Sequence, residues 1–387
     1  MGKNIVLLCD GTWNNPNSKS NINLLYKELI EKDYQQHVLY IDGIGIGELA
    51  LNFLLDGAIA QSLGDKIKEG YKYIASHYNP GDDIWLFGFS RGAYTVRCIV
   101  EMIRNCGILK LDRDITPDQI DKRVDLAYDI YRNRDMSFHP DESGSNNFKK
   151  SFSYPDSKKP IIKFLGLWDT VGAHGIPGYI IGEGFRYLEL YDQSVPNIVN
   201  FACQALAIHE RVTFFEPCHI LPNSSGTVTV KETWFPGVHG EIGGGIRGNE
   251  RISNATLLWV LEYIVQVGGL LMQDNIENYR TRFSPDSGPS WDINNRLFDR
   301  RADFIPAIML RDRVIPLELD PSQKCLRKDL LYRDGDWLLP FGTRSHLSTR
   351  YASNTYEGLR KVMETKGIRL YNNVKYDKDV DEEDHLS

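Results

Sequence analysis

The chain has 387 residues, of which 42% are hydrophobic and 25% are charged, and its formal net charge is −7. This composition is that of a globular protein with a sizeable core, and its acidic balance excludes the basic footprint of a nucleic-acid-binding protein. No apolar stretch reaches the ~18 residues of a transmembrane helix, and the N-terminal apolar run is too short for a signal peptide.

The cysteines and the N-terminal region lead to expectations about compartment and cofactors. None of the six cysteines lies in a CxxC pair, so we expect buried free thiols rather than disulfides or a zinc site. With no targeting segment in the pattern, a cytoplasmic location is expected. Nothing in the sequence calls for a cofactor or a metal ion.

Short apolar runs alternate with helical patterns, which predicts βαβ units and a mainly parallel sheet flanked by helices. Strands are predicted at 4–9, 37–41, 83–89, 161–168 and 228–235. Helices are predicted at 21–32, 65–77, 91–105, 116–134 and 197–208, with a further apolar helix from Ser253 to about Gly268. Gly107 and the Thr116-Pro117-x-Gln119 capping box are the clearest helix boundaries.

These elements predict a core domain over residues 1–270. Residues 107–160 form a predicted cap insertion, in which the polar residues 136–159 are expected to be a surface excursion or a flexible linker within the domain. We expect residues 271–376 to form a C-terminal extension packed on the core. The acidic residues 377–387 are expected to be a disordered tail.

The strongest chemical signal is Gly88-Phe-Ser-Arg-Gly92, which lies between a buried strand and an amphipathic helix. A serine on a tight strand-to-helix turn flanked by glycines is typical of the nucleophile elbow of α/β hydrolases. We therefore predict that Ser90 is a nucleophile. The alternative is an ordinary serine in a strand-to-helix turn.

A serine nucleophile needs a base, and the base needs an acid that orients it. Asp169 directly follows a buried strand, and His239 follows a later one among small residues, which matches the chain order Ser, Asp, His of this fold. The alternative for Asp169 is a turn-capping carboxylate. His209 and His219 are rival bases, and His174 lies too near Asp169 in the chain to be the obvious one.

An oxyanion hole requires two N–H groups, one of them from the residue after the nucleophile, which is Arg91. The turn after the first strand is expected to supply the second from Gly11 or Thr12. A plain Asx-turn at Asp10 is compatible with this role or replaces it.

Other chemistries fit the sequence less well. Asp10-Gly-Thr12 is similar to the start of an aspartyl phosphatase motif, but Thr12 stands where a second Asp is typical. The glycines 43, 45 and 47 do not have the GxGxxG spacing of a dinucleotide loop. A catalytically silent hydrolase-like binding module remains an alternative, because a fold does not determine a function.

Several motifs occur together and in order over residues 4–269: Asp10-Gly-Thr-Trp-Asn14, Asp42-Gly-Ile-Gly45, Pro80-Gly-Asp82, Phe87-Gly-Phe-Ser-Arg-Gly-Ala-Tyr94, Leu167-Trp-Asp-Thr-Val-Gly172 and Phe235-Pro-Gly-Val-His239. The set resembles an α/β-hydrolase domain family that includes phospholipase effectors of bacterial type VI secretion. The resemblance implies an α/β-hydrolase-like fold and a triad at Ser90, Asp169 and His239.

The resemblance also implies an ester substrate, with phospholipid as the substrate of some members, and hence transient contact with a membrane surface. The chain departs from the family in two places. Gly240-Glu241 stands where the family usually has Ser-Asp, and Ile208-His-Glu-Arg211 stands where it has Leu-Asp-Glu-Arg. Apolar side chains from Ile99 to Tyr131, with four later aromatic residues, either line an acyl cleft or belong to the core.

Overall fold

The computed structural model describes residues 2–283, apart from 13, 15–16, 33, 44–55, 113, 156–160, 173–193, 208–209, 211, 213–214, 221–225, 236 and 246–249. Beyond residue 283 it describes four short strands. The described strands are β1 (Asn4–Cys9), β2 (Gln36–Ile41), β3 (Asp83–Phe89), β4 (Ile162–Trp168), β5 (Val199–Ala207), β6 (Thr229–Phe235), β7 (Cys325–Arg327), β8 (Tyr332–Arg333), β9 (Asp336–Trp337) and β10 (Arg369–Tyr371).

The described α-helices are α1 (Asn21–Glu28), α2 (Asp56–His77), α3 (Arg91–Cys106), α4 (Pro117–Arg132), α5 (Ser143–Phe152), α6 (His239–Gly243), α7 (Arg251–Val267) and α8 (Ile276–Arg282). Several helix ends follow the sequence signals. Thr116 and Gln119 form the predicted capping box of α4, and Gly107 ends α3 with a φ of 72°. Ser253 lies within the first turn of α7, which starts two residues before it.

Eight strands form one sheet in the order β10-β7-β6-β5-β4-β3-β1-β2, and every pairing within it is parallel. Because the strands are parallel, the carboxyl ends of β3, β4, β5 and β6 lie along one edge of the sheet. Strands β7 and β10 of the predicted C-terminal extension continue the sheet beyond β6. The division into core, cap and extension stays a prediction.

The sheet has a separate hydrophobic core on each face, because alternate side chains of a strand point in opposite directions. Ile5 and Leu7 of β1 pack with α2, α3 and α4 on one face, whereas Val6 and Leu8 pack with α1 and α7 on the other. This arrangement confirms the predicted α/β-hydrolase-like class, a mainly parallel sheet with helices on both faces.

Two predicted segments were wrong. Where a helix was predicted over 197–208, residues 199–207 form strand β5. The strand is central and buried on both faces, and small residues such as Ala202 and Ala205 mimic a helical pattern. The polar segment 136–159 contains a 3₁₀ turn at Met136–Phe138 and helix α5. Phe148 of α5 is buried in the same core as α3, so this part of the predicted excursion is packed structure.

Candidate active site

Ser90 lies in the turn between β3 and α3 with φ 57° and ψ −124°, a backbone conformation that non-glycine residues rarely adopt. The flanking glycines make the turn sterically feasible. A Cβ atom on Gly88 would lie 2.4 Å from the Cα of Ala93, and one on Gly92 would lie 2.1 Å from the carbonyl oxygen of Cys9. The turn therefore packs directly against the end of β1 and presents Ser90 at the carboxyl edge.

Asp169 follows β4 at the same edge and is fully buried. Its main-chain N–H donates to the carbonyl of Ala205 at 2.8 Å, and its Oδ1 accepts the N–H of Ala207 at 2.9 Å. Its φ of 39° is also left-handed. The neighbouring strand β5 thus fixes the orientation of the carboxylate and leaves Oδ2 for another partner.

His239 is the first residue of the short helix α6, which follows β6, and it is 6% exposed. Its Nδ1 lies 2.6 Å from Asp169 Oδ2, and its Nε2 lies 2.8 Å from Ser90 Oγ. Ser90, His239 and Asp169 thus form one continuous hydrogen-bonded chain, although Ser90 and His239 are 149 positions apart in the sequence. With the proton on Nδ1, the imidazole donates to the carboxylate and accepts from the serine hydroxyl.

The imidazole ring of His239 contacts two phenyl rings. The ring centroid of Phe89, the residue before the serine, is 4.8 Å from that of the imidazole at an interplanar angle of 31°. The ring of Phe215 is nearly parallel to it at 4.6 Å and 10°. These contacts limit rotation of the imidazole and shield it from water.

Two carboxylates that the sequence analysis did not single out hold the main chain at His239. Glu210 Oε2 accepts the N–H of His239 at 3.1 Å, and Glu241 Oε2 accepts the N–H of Val238 at 2.8 Å. Both side chains are buried. Glu241 stands where the family usually has Asp, and Glu210 keeps the Glu of the family pattern, so that pattern was the sequence signal for both.

The turn after β1 lies beside Ser90, as the predicted oxyanion hole requires. Arg91 Nη1 donates to Thr12 Oγ1 at 3.0 Å, so the residue after the serine is tied to this turn. Burial lowers the pKa of the Arg91 guanidinium. The N–H of Gly11 donates to Asp10 Oδ1 at 2.7 Å and is therefore already engaged.

The carboxylate of Asp10 is almost fully buried and has four donors. Its Oδ1 accepts from Gly11 N–H and from Asn14 Nδ2 at 3.0 Å, and its Oδ2 accepts from the hydroxyls of Ser20 and, at 2.5 Å, Tyr40. Burial raises the pKa of the carboxyl group, although the hydrogen bonds oppose the shift. A carboxylate so engaged organises its turn and is poorly placed to attack a phosphate.

Among the rival histidines, only His219 lies in the described part of the chain. Its Nδ1 pairs with the fully buried carboxylate of Glu232 at 2.6 Å. Glu232 also accepts from Gln204, and Gln204 accepts from the hydroxyl of Thr170. His219 is thus bound to a polar network next to Asp169. His209 and His174 lie outside the described residues.

The apolar side chains considered for an acyl cleft belong mainly to the core. In α3, Ile99, Val100, Met102 and Ile103 are all at most 2% exposed. Tyr128, Ile130 and Tyr131 of α4, and the later residues Trp259 and Phe283, are also buried. Leu126 is exposed, Trp291 lies outside the described residues, and only the strand position of Trp337 is described.

Metal ligation and membrane crossing make different demands on the described residues. No group of three or more His, Cys, Asp or Glu side chains there is arranged to hold a metal ion. In the same part of the chain, no helix has the length and apolarity needed to cross a bilayer. Five described cysteines, Cys9, Cys98, Cys106, Cys203 and Cys218, are free thiols.

A parallel sheet between two helical layers, with Ser90, His239 and Asp169 meeting at its carboxyl edge, has the architecture of the α/β-hydrolase class. The family model for the catalytic domain of type VI secretion phospholipase effectors of the Tle1-like type matches residues 3–263, about two thirds of the chain. The chain belongs to this family of catalytic domains.

Individual relatives are more distant. The uncharacterized protein YEL023C of Saccharomyces cerevisiae is 33% identical over 197 residues, which span 45% of this chain and 27% of that protein. A crystal structure of an uncharacterized protein from Pseudomonas aeruginosa is 16% identical with a TM-score of 0.43, over 95% of this chain and 59% of that one. Esterase 2 of Thermogutta terrifontis, phosphonylated by cyclosarin, is 14% identical with a TM-score of 0.36, over 70% and 84% of the two chains. The chain therefore spans only part of the first two relatives.

Proposed function

We propose that the protein is a serine hydrolase that cleaves carboxylic esters of lipids, including phospholipids, through an acyl-enzyme intermediate. The observation that carries the proposal is the hydrogen-bonded chain from Ser90 Oγ through His239 to Asp169, with distances of 2.8 and 2.6 Å. The geometry matches that required of a nucleophile, a general base and an orienting acid.

In the first step Ser90 Oγ attacks the ester carbonyl carbon, and His239 Nε2 takes the hydroxyl proton. Asp169 keeps the imidazole in the correct tautomer and stabilises the imidazolium that forms. Collapse of the tetrahedral intermediate breaks the bond to the alcohol, which leaves with the proton from His239. Water then attacks the acyl-enzyme by the same route and releases the carboxylic acid.

The oxyanion of the tetrahedral intermediate needs two donors. We assign them to the main-chain N–H of Arg91, which is at the start of α3, and to that of Thr12. Thr12 is preferred over Gly11, because the N–H of Gly11 is already bonded to Asp10. The bond between the Arg91 guanidinium and Thr12 Oγ1 fixes the two donors relative to each other.

The substrate class rests on the family, whose named members are phospholipase effectors. Each buried methylene of an acyl chain contributes about 0.8 kcal/mol, so a binding cleft for lipid chains would raise kcat/KM steadily with chain length. Hydrolysis of p-nitrophenyl esters from acetate to octanoate and beyond, and of phospholipid vesicles, tests this directly. A monotonic fall from acetate would leave a hydrolase of small soluble esters.

The decisive experiment compares the wild type with Ser90→Ala. We expect the wild type to react covalently with a fluorophosphonate probe at Ser90. The variant should not react with the probe, and its kcat should be lower by ~10⁴- to 10⁶-fold. The variant should keep the wild-type fold. Circular dichroism and the melting temperature check this independently of activity. Full activity in folded Ser90→Ala would refute the mechanism, and an inert, unlabelled wild type would favour the silent binding module.

A further inference from the structure

Glu210 connects the loop that follows β5 to the main chain of His239. It is 2% exposed. Its Oε1 accepts the N–H of Val212 at 2.8 Å, and its Oε2 accepts the N–H of His239 at 3.1 Å. One carboxylate thus joins two main-chain segments that come from different strands of the sheet.

The end of β5, just before this loop, also contacts Asp169. Ala207, at the end of β5, donates its N–H to Asp169 Oδ1 at 2.9 Å. Ala207 therefore contacts Asp169, and Glu210, three positions later, contacts His239. His239 and Asp169, which are joined by the 2.6 Å Nδ1–Oδ2 hydrogen bond, are thus both held by the segment at the end of β5.

From this geometry we infer that Glu210 is a positioning residue, which holds the main chain of His239 where its Nε2 meets Ser90 Oγ. The inference rests on the proposed function. Only two side-chain torsions separate the His239 main chain from its ring, so a displaced Cα displaces Nε2 by a similar distance. A misplacement of about 1 Å reduces a rate by ~10²-fold.

Three variants separate positioning from simple structural support. Glu210→Ala removes both acceptors, whereas Glu210→Gln retains one amide oxygen and loses the negative charge. Glu262→Gln is the matched control: it also neutralises a largely buried carboxylate, but its described partner is Arg280 of α8, not His239. For each variant, kcat, KM and the melting temperature are measured, and the concentration of active sites is determined by titration with a fluorophosphonate.

We expect Glu210→Ala to lower kcat by ~10²-fold per titrated site, with KM within about threefold of the wild type, because chemistry rather than ground-state binding is impaired. Glu210→Gln should recover about tenfold of that loss by restoring one acceptor. The rate of phosphonylation of Ser90 should fall in parallel with kcat. Glu262→Gln should keep the wild-type kcat per site whatever its melting temperature.

Other results would overturn the inference. A Glu210→Ala enzyme with lower melting temperature but wild-type kcat per titrated site would make Glu210 purely structural. A loss confined to KM would place it in substrate binding. An inactive wild type that the probe does not label would overturn the proposed function itself, and the inference with it.

Discussion

The imidazole of His239 lies almost parallel to the phenyl ring of Phe215, with ring centroids 4.6 Å apart and planes inclined by 10°. Phe215 belongs to the loop after β5 and His239 to the segment after β6. In the proposed mechanism the imidazole carries a positive charge during the reaction, and a phenyl face attracts a cation held against it. The ring is therefore both oriented and electrostatically supported from one side.

The geometry predicts that His239, and not His219, is the general base. We expect His239→Ala to lower kcat by ~10⁴ to 10⁶, as removal of a triad member does. His219→Ala should stay within about tenfold, because its described partner is Glu232 rather than Ser90. Steady-state kinetics of both variants, with His209→Ala as a third arm, provides the measurement. A near-normal His239→Ala beside an inactive His209→Ala would reassign the base.

The bond between Arg91 and Thr12 leads to a second prediction. Thr12→Val deletes the acceptor of the Arg91 guanidinium, and hydrogen bonds to charged groups contribute about 1.5–3 kcal/mol. We expect about a tenfold lower kcat from a less well-aligned oxyanion hole. Thr12→Ser keeps the hydroxyl and should retain most of the activity. Equal kcat values for Thr12→Val and the wild type would show that the bond between Arg91 and Thr12 Oγ1 does not align the oxyanion hole.

The close packing of the serine turn leads to a third prediction. Alanine at Gly92 would place its Cβ 2.1 Å from the carbonyl oxygen of Cys9 and 2.5 Å from that of Asp10, and main-chain atoms cannot yield. We expect Gly92→Ala to lower the free energy of unfolding by at least about 1–3 kcal/mol and to abolish activity.

Gly64→Ala, in the middle of α2, is the control for Gly92→Ala. The atom nearest to its Cβ would be the hydroxyl oxygen of Tyr128, at the far end of a side chain, and alanine favours a helix by about 1 kcal/mol over glycine. The urea midpoints of the two variants are the comparison. A Gly92→Ala protein as stable and active as Gly64→Ala would contradict the packing of the turn against β1.

Buried thiols lead to a prediction about pH. Burial raises the pKa of Cys98 and of Cys106 from 9.0 to about 12. Because the folded-state pKa is above the unfolded value, their contribution to stability is complete below about pH 9 and is lost as the pH rises towards 12. At a pH equal to the unfolded-state pKa of 9.0, iodoacetamide should modify both thiols in the urea-unfolded protein and neither thiol in the native protein. Modification in the native state, mapped by mass spectrometry, would show that α3 is not packed as described.

The sequence was a good guide wherever a local pattern determines the structure. The turn at Ser90 needs a strand, two small neighbours and a helix, and all of these are visible in the one continuous stretch from residue 83 to residue 106. The capping box of α4 is equally local. The nearness of Ser90, Asp169 and His239 followed from their common position after strands of one parallel sheet.

What the sequence did not reveal depends on burial and on distant contacts. Strand β5 is covered on both faces, so it lacks the alternation that identifies a half-exposed strand. Helix α5 was hidden by its polar composition, although Phe148 and Phe152 at i and i+4 were its signal. The role that we propose for Glu210 depends on a contact with a residue 29 positions away, which no local pattern shows.

The proposed reaction centre takes one member from each of four neighbouring strand ends, β3, β4, β5 and β6, if Glu210 is counted. Parallel pairings between segments far apart in sequence form late and slowly, since long loops must close first. The centre therefore cannot exist in a partly assembled chain. Covalent labelling of Ser90 during refolding would time the completion of the central sheet, and no proteolytic fragment lacking one of these strands should react with the probe.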